Sequence, residues 1–293
     1  MALLALCKRT RDSWGRQMIL YSVNDWNDAY ANMPNIPGGE GWPDIWSAAS
    51  KAYRAEMEAK GMARLGLAYG DGERNRFDLF LPEGETKGLV VFVHGGYWMR
   101  FDCTMWSHLA QGCVENGWAV AMPSYTLAPH ARISDITREV GQAITAAAEM
   151  IDGPIRLTGH SAGGHLVTRM ISSTSPLPEA VRARVAHTVS ISGVHDLRPL
   201  LNLALNETLR LDTAEAEAES PALLAPLAAA KVTCWVGAGE RAEFLRQNAL
   251  LANIWTGLGA KTAVYEEPDC HHFNVIDGLA ERDSALTRTL LDC

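Results

Sequence analysis

Ser161 is the residue of this sequence whose surroundings point most directly to chemistry. It lies in LTGHSAGGHL, residues 157 to 166, between Gly159 and Gly163, and it follows an apolar run. A GxSxG pattern at a sharp strand-to-helix turn exposes the serine hydroxyl, and the flanking glycines remove Cβ atoms that would collide there. The alternative is a glycine-rich loop whose serine caps a helix. Motif and context together favour a nucleophile.

A serine nucleophile also needs donors that receive the negative charge on the attacked oxygen. The run VVFVHGGYW ends in HGGYW, residues 94 to 98, where esterases carry an HGGG-type loop. We expect an oxyanion hole formed by the backbone amides of Gly96, Tyr97 and Ala162. The bulky side chains of Tyr97 and Trp98 are expected to bind substrate.

The acid and the base should follow the serine in that order, each just beyond a strand. The segment GAGERAEF offers Glu240 and Glu243. Glu240 is preferred because it lies nearer the strand end, whereas Glu243 is expected to face solvent one turn into a helix. The segment PDCHHFNV offers His271 and His272. Neighbouring side chains point in different directions, and His272 is preferred because Phe273 beside it can anchor it against the core.

Two other kinds of site are weaker interpretations of the same segments. Cys270, His271 and His272 are metal-ligand types, but adjacent residues rarely chelate one ion, and no second Cys/His cluster occurs. GAGERA, residues 237 to 242, fits a dinucleotide-binding GxGxxA pattern but lies near the end of the chain instead of in an opening βαβ unit. His160 and His165 are five residues apart and share no helical face, so packing and loop hydrogen bonds are expected. We therefore expect no metal and no cofactor.

Short apolar runs alternate with amphipathic segments along most of the chain. The expected strands are residues 64–69, 76–82, 88–95, 118–125, 154–160, 185–193, 231–239 and 261–267. The expected helices are residues 103–116, 134–151, 162–173, 241–257 and 275–291. Runs that are apolar on both faces are typical of buried parallel strands, and the alternation implies right-handed βαβ crossovers. The predicted fold class is α/β, a doubly wound and mostly parallel sheet with an antiparallel start.

One domain accounts for the chain after an N-terminal arm. Residues 1–60 are rich in Trp and Pro and are predicted to form an irregular arm that packs on the domain. Residues 61–293 form the domain itself. The segment from about 195 to 226 interrupts the alternation with a helical pattern, and we expect a small cap over the carboxyl edge of the sheet.

Composition and charge limit the classes of partner that this protein could bind. Among 293 residues the formal net charge is −8 and basic residues do not cluster, which disfavours nucleic acid. No apolar run reaches 18 residues, so no membrane span is expected. In the opening MALLALCKRTRDSWGRQ the basic residues follow the apolar run, the reverse of a secretory signal, which predicts a cytoplasmic protein. The partner is then a small-molecule substrate; a homodimer is compatible with the sequence, which does not fix the oligomeric state.

The spacing of the cysteines indicates whether they form disulfides. Six cysteines are widely spaced and include no CxxC, which predicts free thiols. They are Cys7, Cys103, Cys113, Cys234, Cys270 and Cys293.

These motifs together resemble the α/β-hydrolase superfamily, and within it the kynurenine formamidase (arylformamidase) group. The matching stretches are HGGYW, GHSAGG, SYTLAP (124–129), ISGVHDLRPL (191–200), SPALL (220–224), the acid followed by EF and RQ (243–247), and the HF pair (272–273). The likeness runs from about residue 60 to the end. Family members often carry Asp as the acid where this chain has Glu240.

The resemblance implies an α/β-hydrolase fold and a serine-dependent hydrolysis without a cofactor. Ser161, Glu240 and His272 would be the triad, and N-formyl-kynurenine would be cleaved to kynurenine and formate. A general carboxylesterase or thioesterase is the alternative, because HGGYW and GHSAGG also occur in such enzymes. A non-catalytic binder on the same scaffold is a third class, disfavoured because all three triad residues are present in order.

Overall fold

In the computed structural model, which describes residues 7–11 and 17–292, an eight-stranded sheet forms the centre of the protein. For residues 7–11 and 17–21 only the backbone is described. The apolar opening MALLAL and the side chains of Cys7 and Cys293 lie outside the described residues. Cys103, Cys234 and Cys270 are free thiols, as predicted.

The strands and helices follow the expected alternation. The strands are β1 (Cys7–Arg11), β2 (Gln17–Tyr21), β3 (Ala63–Ala68), β4 (Arg76–Phe80), β5 (Leu89–Val93), β6 (Ala119–Pro123), β7 (Ile155–His160), β8 (Val185–Ile191), β9 (Lys231–Gly237) and β10 (Lys261–Glu267). The α-helices are α1 (Trp26–Tyr30), α2 (Trp42–Ala59), α3 (Gln111–Glu115), α4 (Ile133–Met150), α5 (Ala162–Arg169), α6 (Glu179–Arg182), α7 (Asn206–Leu209), α8 (Thr213–Ala218), α9 (Ala242–Gly257) and α10 (Ala285–Leu291). Short 3-10 helices occupy Met33–Asn35, Gly39–Gly41, Cys103–Met105, Ser107–Ala110, Arg198–Asn202, Pro221–Leu223 and Asp277–Ala280.

The sheet order is β10-β9-β8-β7-β5-β6-β4-β3. Strands β5 to β10 run parallel, whereas β4 pairs antiparallel with both β6 and β3. The prediction of a mostly parallel, doubly wound sheet with an antiparallel start is therefore confirmed. Because the carboxyl ends of the parallel strands meet at one edge, the residues after β5, β7 and β9 lie close together.

Strand β5 is apolar at all five positions because it is covered on both faces of the sheet. All five are buried, and they alternate between two cores: Leu89, Val91 and Val93 contribute to one, Val90 and Phe92 to the other. Successive side chains of a strand point to opposite faces, so a strand covered on both faces must be apolar throughout.

Two expected helices are interrupted. Residues 103–116 form two 3-10 turns before α3, and Gly112 lies so close to the 279–281 segment that a Cβ there would be 2.6 Å from the Leu279 carbonyl oxygen. Residues 275–291 form a 3-10 turn and then α10, because the Ser284 hydroxyl accepts the Thr287 N–H at 3.0 Å and begins a new helix.

The composition of the N-terminal arm predicted an irregular segment, and the structure differs from that prediction. The arm contains the 18-residue helix α2. Pro43 lies in the first turn of this helix, where a missing N–H costs nothing. The residues that α2 buries follow helical spacing and are Trp46, Ser50, Tyr53 and Met57.

The segment 195–226 contains short α-helices and 3-10 helices. Glu215 in α8 receives the Arg132 guanidinium at 2.9 and 2.6 Å, at the start of α4. Glu219 after α8 pairs with Arg169 of α5 at 3.0 Å. This segment is thus tied to the two helices that precede and follow β7. In the described residues no helix has the length and hydrophobicity to cross a bilayer.

Helix α4 allows a matched test of the core. Replacing Ile144, which is fully buried, with Ala should lower the free energy of unfolding by about 2–5 kcal/mol through lost contacts and a cavity. Met150→Ala on the exposed side of the same helix should change it by less than about 0.5 kcal/mol. Urea denaturation measures both, and equal effects would contradict the assigned burial.

Candidate active site

Ser161 lies at a sharp turn between β7 and α5. Its backbone adopts φ 56° and ψ −115°, a conformation that L residues rarely occupy. Its hydroxyl makes no capping hydrogen bond to α5, so the helix-cap interpretation of GxSxG is wrong. The hydroxyl is instead left at the carboxyl edge of the sheet.

The glycines around Ser161 are required by close backbone contacts. A Cβ on Gly163 would lie 1.9 Å from the Val93 carbonyl oxygen, and one on Gly159 would lie 2.4 Å from the Gly163 oxygen. A Cβ on Gly164 would lie 2.7 Å from the Ser190 hydroxyl. Any side chain at these three positions would push the helix away from β5 and β8.

Glu240 lies just past β9, as predicted, and is buried. Its Oε2 is 2.6 Å from His272 Nδ1. Its Oε1 accepts hydrogen bonds from the Gly237 N–H at 2.9 Å and from the Ser192 hydroxyl. With both oxygens engaged, the carboxylate is held in one orientation toward the imidazole.

His272 follows β10 and is the histidine that pairs with Glu240. Since Nδ1 faces the carboxylate, Nε2 is the nitrogen left for the Ser161 hydroxyl. Phe273 packs against Trp46 with ring centroids 5.1 Å apart, which anchors this segment as expected. His271 Nδ1 accepts the N–H of Phe273 at 3.1 Å, so its ring serves the turn instead.

Ser161 and His272 line one cavity, but among the described contacts no hydrogen bond joins them. Such bonds are often long in an unliganded enzyme and shorten when substrate binds.

Glu243 does not face solvent, contrary to the prediction. It is 2% exposed, receives the Arg246 guanidinium at 2.8 Å through two nitrogens, and accepts the Tyr30 hydroxyl at 3.0 Å. Burial raises the pKa of Tyr30 above its usual range, and the nearby Glu243 charge adds to the effect. Glu243 is thus occupied in joining the arm to α9 and is unavailable to His272.

His160 is buried and packs against His272. Its Nε2 donates to the His272 carbonyl oxygen at 2.8 Å, and the two rings are 4.6 Å apart. Burial lowers the pKa of His160 well below its usual value, so the ring stays neutral and keeps the proton on Nε2. His165 likewise binds a backbone oxygen, that of Glu219, at 2.7 Å.

The loop after β5 lies against the serine turn. A Cβ on Gly95 would be 3.1 Å from Ser161 Cβ. Gly96 and Tyr97 have φ of 111° and 54°, which turns the chain back sharply. In the described hydrogen bonds no acceptor is assigned to the N–H groups of Gly96, Tyr97 or Ala162, so these groups are available to an incoming oxygen.

Trp98 does not line the cavity, and its expected role in substrate binding is wrong. It is 1% exposed, and its indole packs edge-on against His165 at 5.2 Å. Its backbone φ of 58° follows the positive φ values of Gly96 and Tyr97, a sharp turn of the chain that precedes this buried side chain.

The cavity at Ser161 has a volume of about 340 Å³ and mostly apolar walls. Its lining comes from the arm, the loop after β5, the serine turn, the cap and the segment after β10: Ala31, Asn32, Met33, Pro34, Trp46, Gly96, Tyr97, Met99, Arg100, Phe101, Trp106, His160, Ser161, Leu205, His272 and Phe273. A pocket of this size suits a small organic molecule.

The structure also bears on the two weaker interpretations of the sequence, a dinucleotide-binding loop and a metal site. A Cβ on Gly237 would lie 2.5 Å from the Cys270 carbonyl oxygen, so the glycine of GAGERA serves contact between β9 and the segment after β10. In the part of the chain that the structure describes, no three His, Cys, Asp or Glu side chains group as metal ligands.

Comparison with known proteins identifies a family and several relatives of this chain. The BD-FAE family matches residues 77–233, more than half of the chain. A kynurenine formamidase of Salmo salar is 30% identical over 246 residues, covering 80% of this chain and 83% of the relative.

The chain belongs to the BD-FAE family. It is an α/β-hydrolase of the arylformamidase and esterase group. A second relative, a kynurenine formamidase of Danio rerio, is 27% identical over 85% of this chain and 92% of its own length. The crystal structure of a protein from Silicibacter sp. TM1040, described as a candidate thioesterase, is 50% identical with a TM-score of 0.85, covering 91% of this chain and 99% of that one.

Several residues of this α/β-hydrolase's site escaped the sequence analysis. Ser192 contacts Glu240 from the end of β8, and its position just after an apolar strand next to β9 was the available signal. Asn32 and Trp46 reach the cavity from the arm, and no motif marked them.

Ser192 provides a test of how Glu240 is held. Ser192→Ala leaves Oε1 with one donor, so kcat should fall roughly ten-fold while KM changes little, because the imidazole is less well oriented. Hydrolysis of p-nitrophenyl acetate at several substrate concentrations measures both constants. Ser173→Ala, an exposed serine on the same domain, is the control. Full kcat in Ser192→Ala would refute the role.

Proposed function

We propose that this protein is a serine hydrolase that removes the formyl group of an aryl formamide, converting N-formyl-kynurenine to kynurenine and formate. One observation carries the proposal: an apolar, aromatic cavity opens on Ser161 in a chain whose relatives named kynurenine formamidase match it over about four-fifths of its length. The aromatic walls favour an aryl leaving group, and formyl is the smallest acyl group that the serine could receive.

The first half of the reaction forms a formyl-enzyme. Ser161 Oγ attacks the formyl carbon while His272 Nε2 takes its proton, and Glu240 stabilises the imidazolium. The oxyanion binds the free N–H groups at Gly96, Tyr97 and Ala162, each such donor lowering the barrier by about 3 kcal/mol. His272 then gives its proton to the amide nitrogen, the C–N bond breaks, and the arylamine leaves.

The second half releases the acid. Water enters the place of the amine, His272 takes one of its protons, and the hydroxide attacks the formyl-serine carbonyl. Return of the proton to Ser161 Oγ breaks the ester and releases formate. Apart from the substrate and one water molecule, no group from outside the chain is needed to balance the two steps.

Hydrolysis of a short-chain ester or thioester is the second candidate. It is favoured by the 50% identity to a protein described as a candidate thioesterase. The same residues would perform it, with a thiol or an alcohol in place of the arylamine.

Substrate comparison separates the two candidates. N-formyl-kynurenine should be hydrolysed with a higher kcat/KM than p-nitrophenyl butyrate or butyryl-thiocholine, because the aryl group fills the cavity. Ser161→Ala should lose all three activities and also covalent labelling by a fluorophosphonate. If the esters are far preferred and N-formyl-kynurenine is untouched, the formamidase proposal fails. If Ser161→Ala keeps its activity, the serine mechanism fails.

The two buried glutamates should respond differently to amide substitution. Glu240→Gln should lower kcat by orders of magnitude, because a neutral amide neither orients His272 correctly nor stabilises its cation. Glu243→Gln should instead lower the free energy of unfolding by about 1 to 2 kcal/mol, since the Arg246 pair is lost. Kinetics and urea denaturation on both variants measure this, and the reverse pattern would make Glu243 the acid.

A further inference from the structure

Several buried polar atoms around the cavity lack a partner within the described protein. They are Asn32 Oδ1, Trp46 Nε1, Trp106 Nε1 and His160 Nδ1. Folded proteins leave few buried polar atoms unpaired, because each costs about as much as a lost hydrogen bond. Their concentration in side chains that line one cavity indicates a ligand with both donors and acceptors, in addition to an aromatic part.

The orientation of the Asn32 amide follows from its neighbours. The Tyr97 hydroxyl donates to the Tyr30 carbonyl oxygen at 2.6 Å. Having used its proton, it must accept from Asn32, whose Nδ2 lies 3.1 Å away. Oδ1 is therefore the free atom, an acceptor on a side chain that is only 3% exposed. An ammonium group is a suitable donor for it.

Arg100 supplies a positive charge to the same region. Of the described residues that line the cavity it alone carries a permanent charge, and it takes part in none of the ion pairs of the described chain. Burial raises the pKa of Tyr97 to about 12, while the hydrogen bonds with Asn32 and the positive charge of Arg100 act in the opposite direction. Asn32 and Arg100 line the same cavity as Tyr97.

We propose that Asn32 and Arg100 form a subsite for a zwitterionic α-amino acid group, with the carboxylate on Arg100 and the ammonium on Asn32 Oδ1. The proposal rests on the formamidase function, whose substrate carries such a group on the chain that extends from its aryl ring. The aryl ring lies along the wall of Trp46 and Trp106, whose ring centroids are 4.5 Å apart. Their unpaired N–H groups add donors for the oxygen atoms of the ligand.

A substrate pair tests the subsite. N-formyl-kynurenine and 2-formamidoacetophenone share the aryl formamide and the ketone, and only the first carries the amino acid group. The quantity measured is the ratio of their kcat/KM values. Arg100→Met and Asn32→Leu should each lower this ratio about ten-fold or more, because each removes a charge-assisted contact. Arg100→Lys should lower it less, since the charge remains.

Arg64→Met is the matched control. Arg64 is exposed on β3 and does not line the cavity, so its replacement should leave the ratio at the wild-type value. A wild-type ratio near one, or a ratio that Arg100→Met and Asn32→Leu leave unchanged, would overturn the subsite while leaving the formamidase function standing.

A binding measurement separates this proposal from the proposed function. On the Ser161→Ala background, calorimetry compares L-kynurenine with 2-aminoacetophenone, which lacks the amino acid group. Tighter binding of L-kynurenine that Arg100→Met weakens about ten-fold supports the subsite even if neither formamide is hydrolysed, an outcome that defeats the formamidase function alone. Equal binding of the two ligands, or no binding of either, overturns the subsite.

Discussion

The backbone contact between the start of α5 and the end of β5 is the constraint on which the site depends. With Gly163 placed so that a Cβ would be 1.9 Å from the Val93 carbonyl oxygen, the helix and the strand approach as closely as two backbones can. This contact puts the serine turn against the loop that begins at His94, so amides from two parts of the chain surround one hydroxyl. The neighbouring parallel strands then deliver Glu240 and His272 to the same edge.

His272, the proposed base, is held at three points, and each comes from a different element. Glu240 engages Nδ1, His160 binds the His272 carbonyl oxygen, and Phe244 of α9 packs against the ring at 4.4 Å. Such fixation lowers the reorganisation needed when the imidazole gains and loses a proton. The same α9 also carries Glu243, which reaches back to Tyr30, so the arm and the base share one support.

The sheet and the order of Ser161, Glu240 and His272 along the chain could be predicted because both depend on local patterns: apolar runs and the residues just after them. The predictions that failed concern residues whose positions are set by contacts or backbone conformations that local sequence patterns do not show. Glu243 is buried because Tyr30, 213 residues away, covers it. Trp98 turns inward at the end of three consecutive residues with positive φ, residues 96 to 98, a backbone conformation that the alternation of apolar and polar residues cannot reveal. Helix α2 was hidden by aromatic and proline content, although its buried side chains repeat with helical spacing.

The wall formed by the arm separates recognition from chemistry along the chain. Residues 31–34 line the cavity, whereas the described hydrogen bonds of the Glu240 carboxylate come from Ser192, Gly237 and His272. Under the proposed function, substitutions there would alter the fit of the leaving group without disturbing the tight backbone contact at Gly163. A scaffold divided in this way can acquire new substrates by variation in a short peripheral segment while its reactive centre stays constant, which makes residues 31–34 the natural place to diversify in directed evolution.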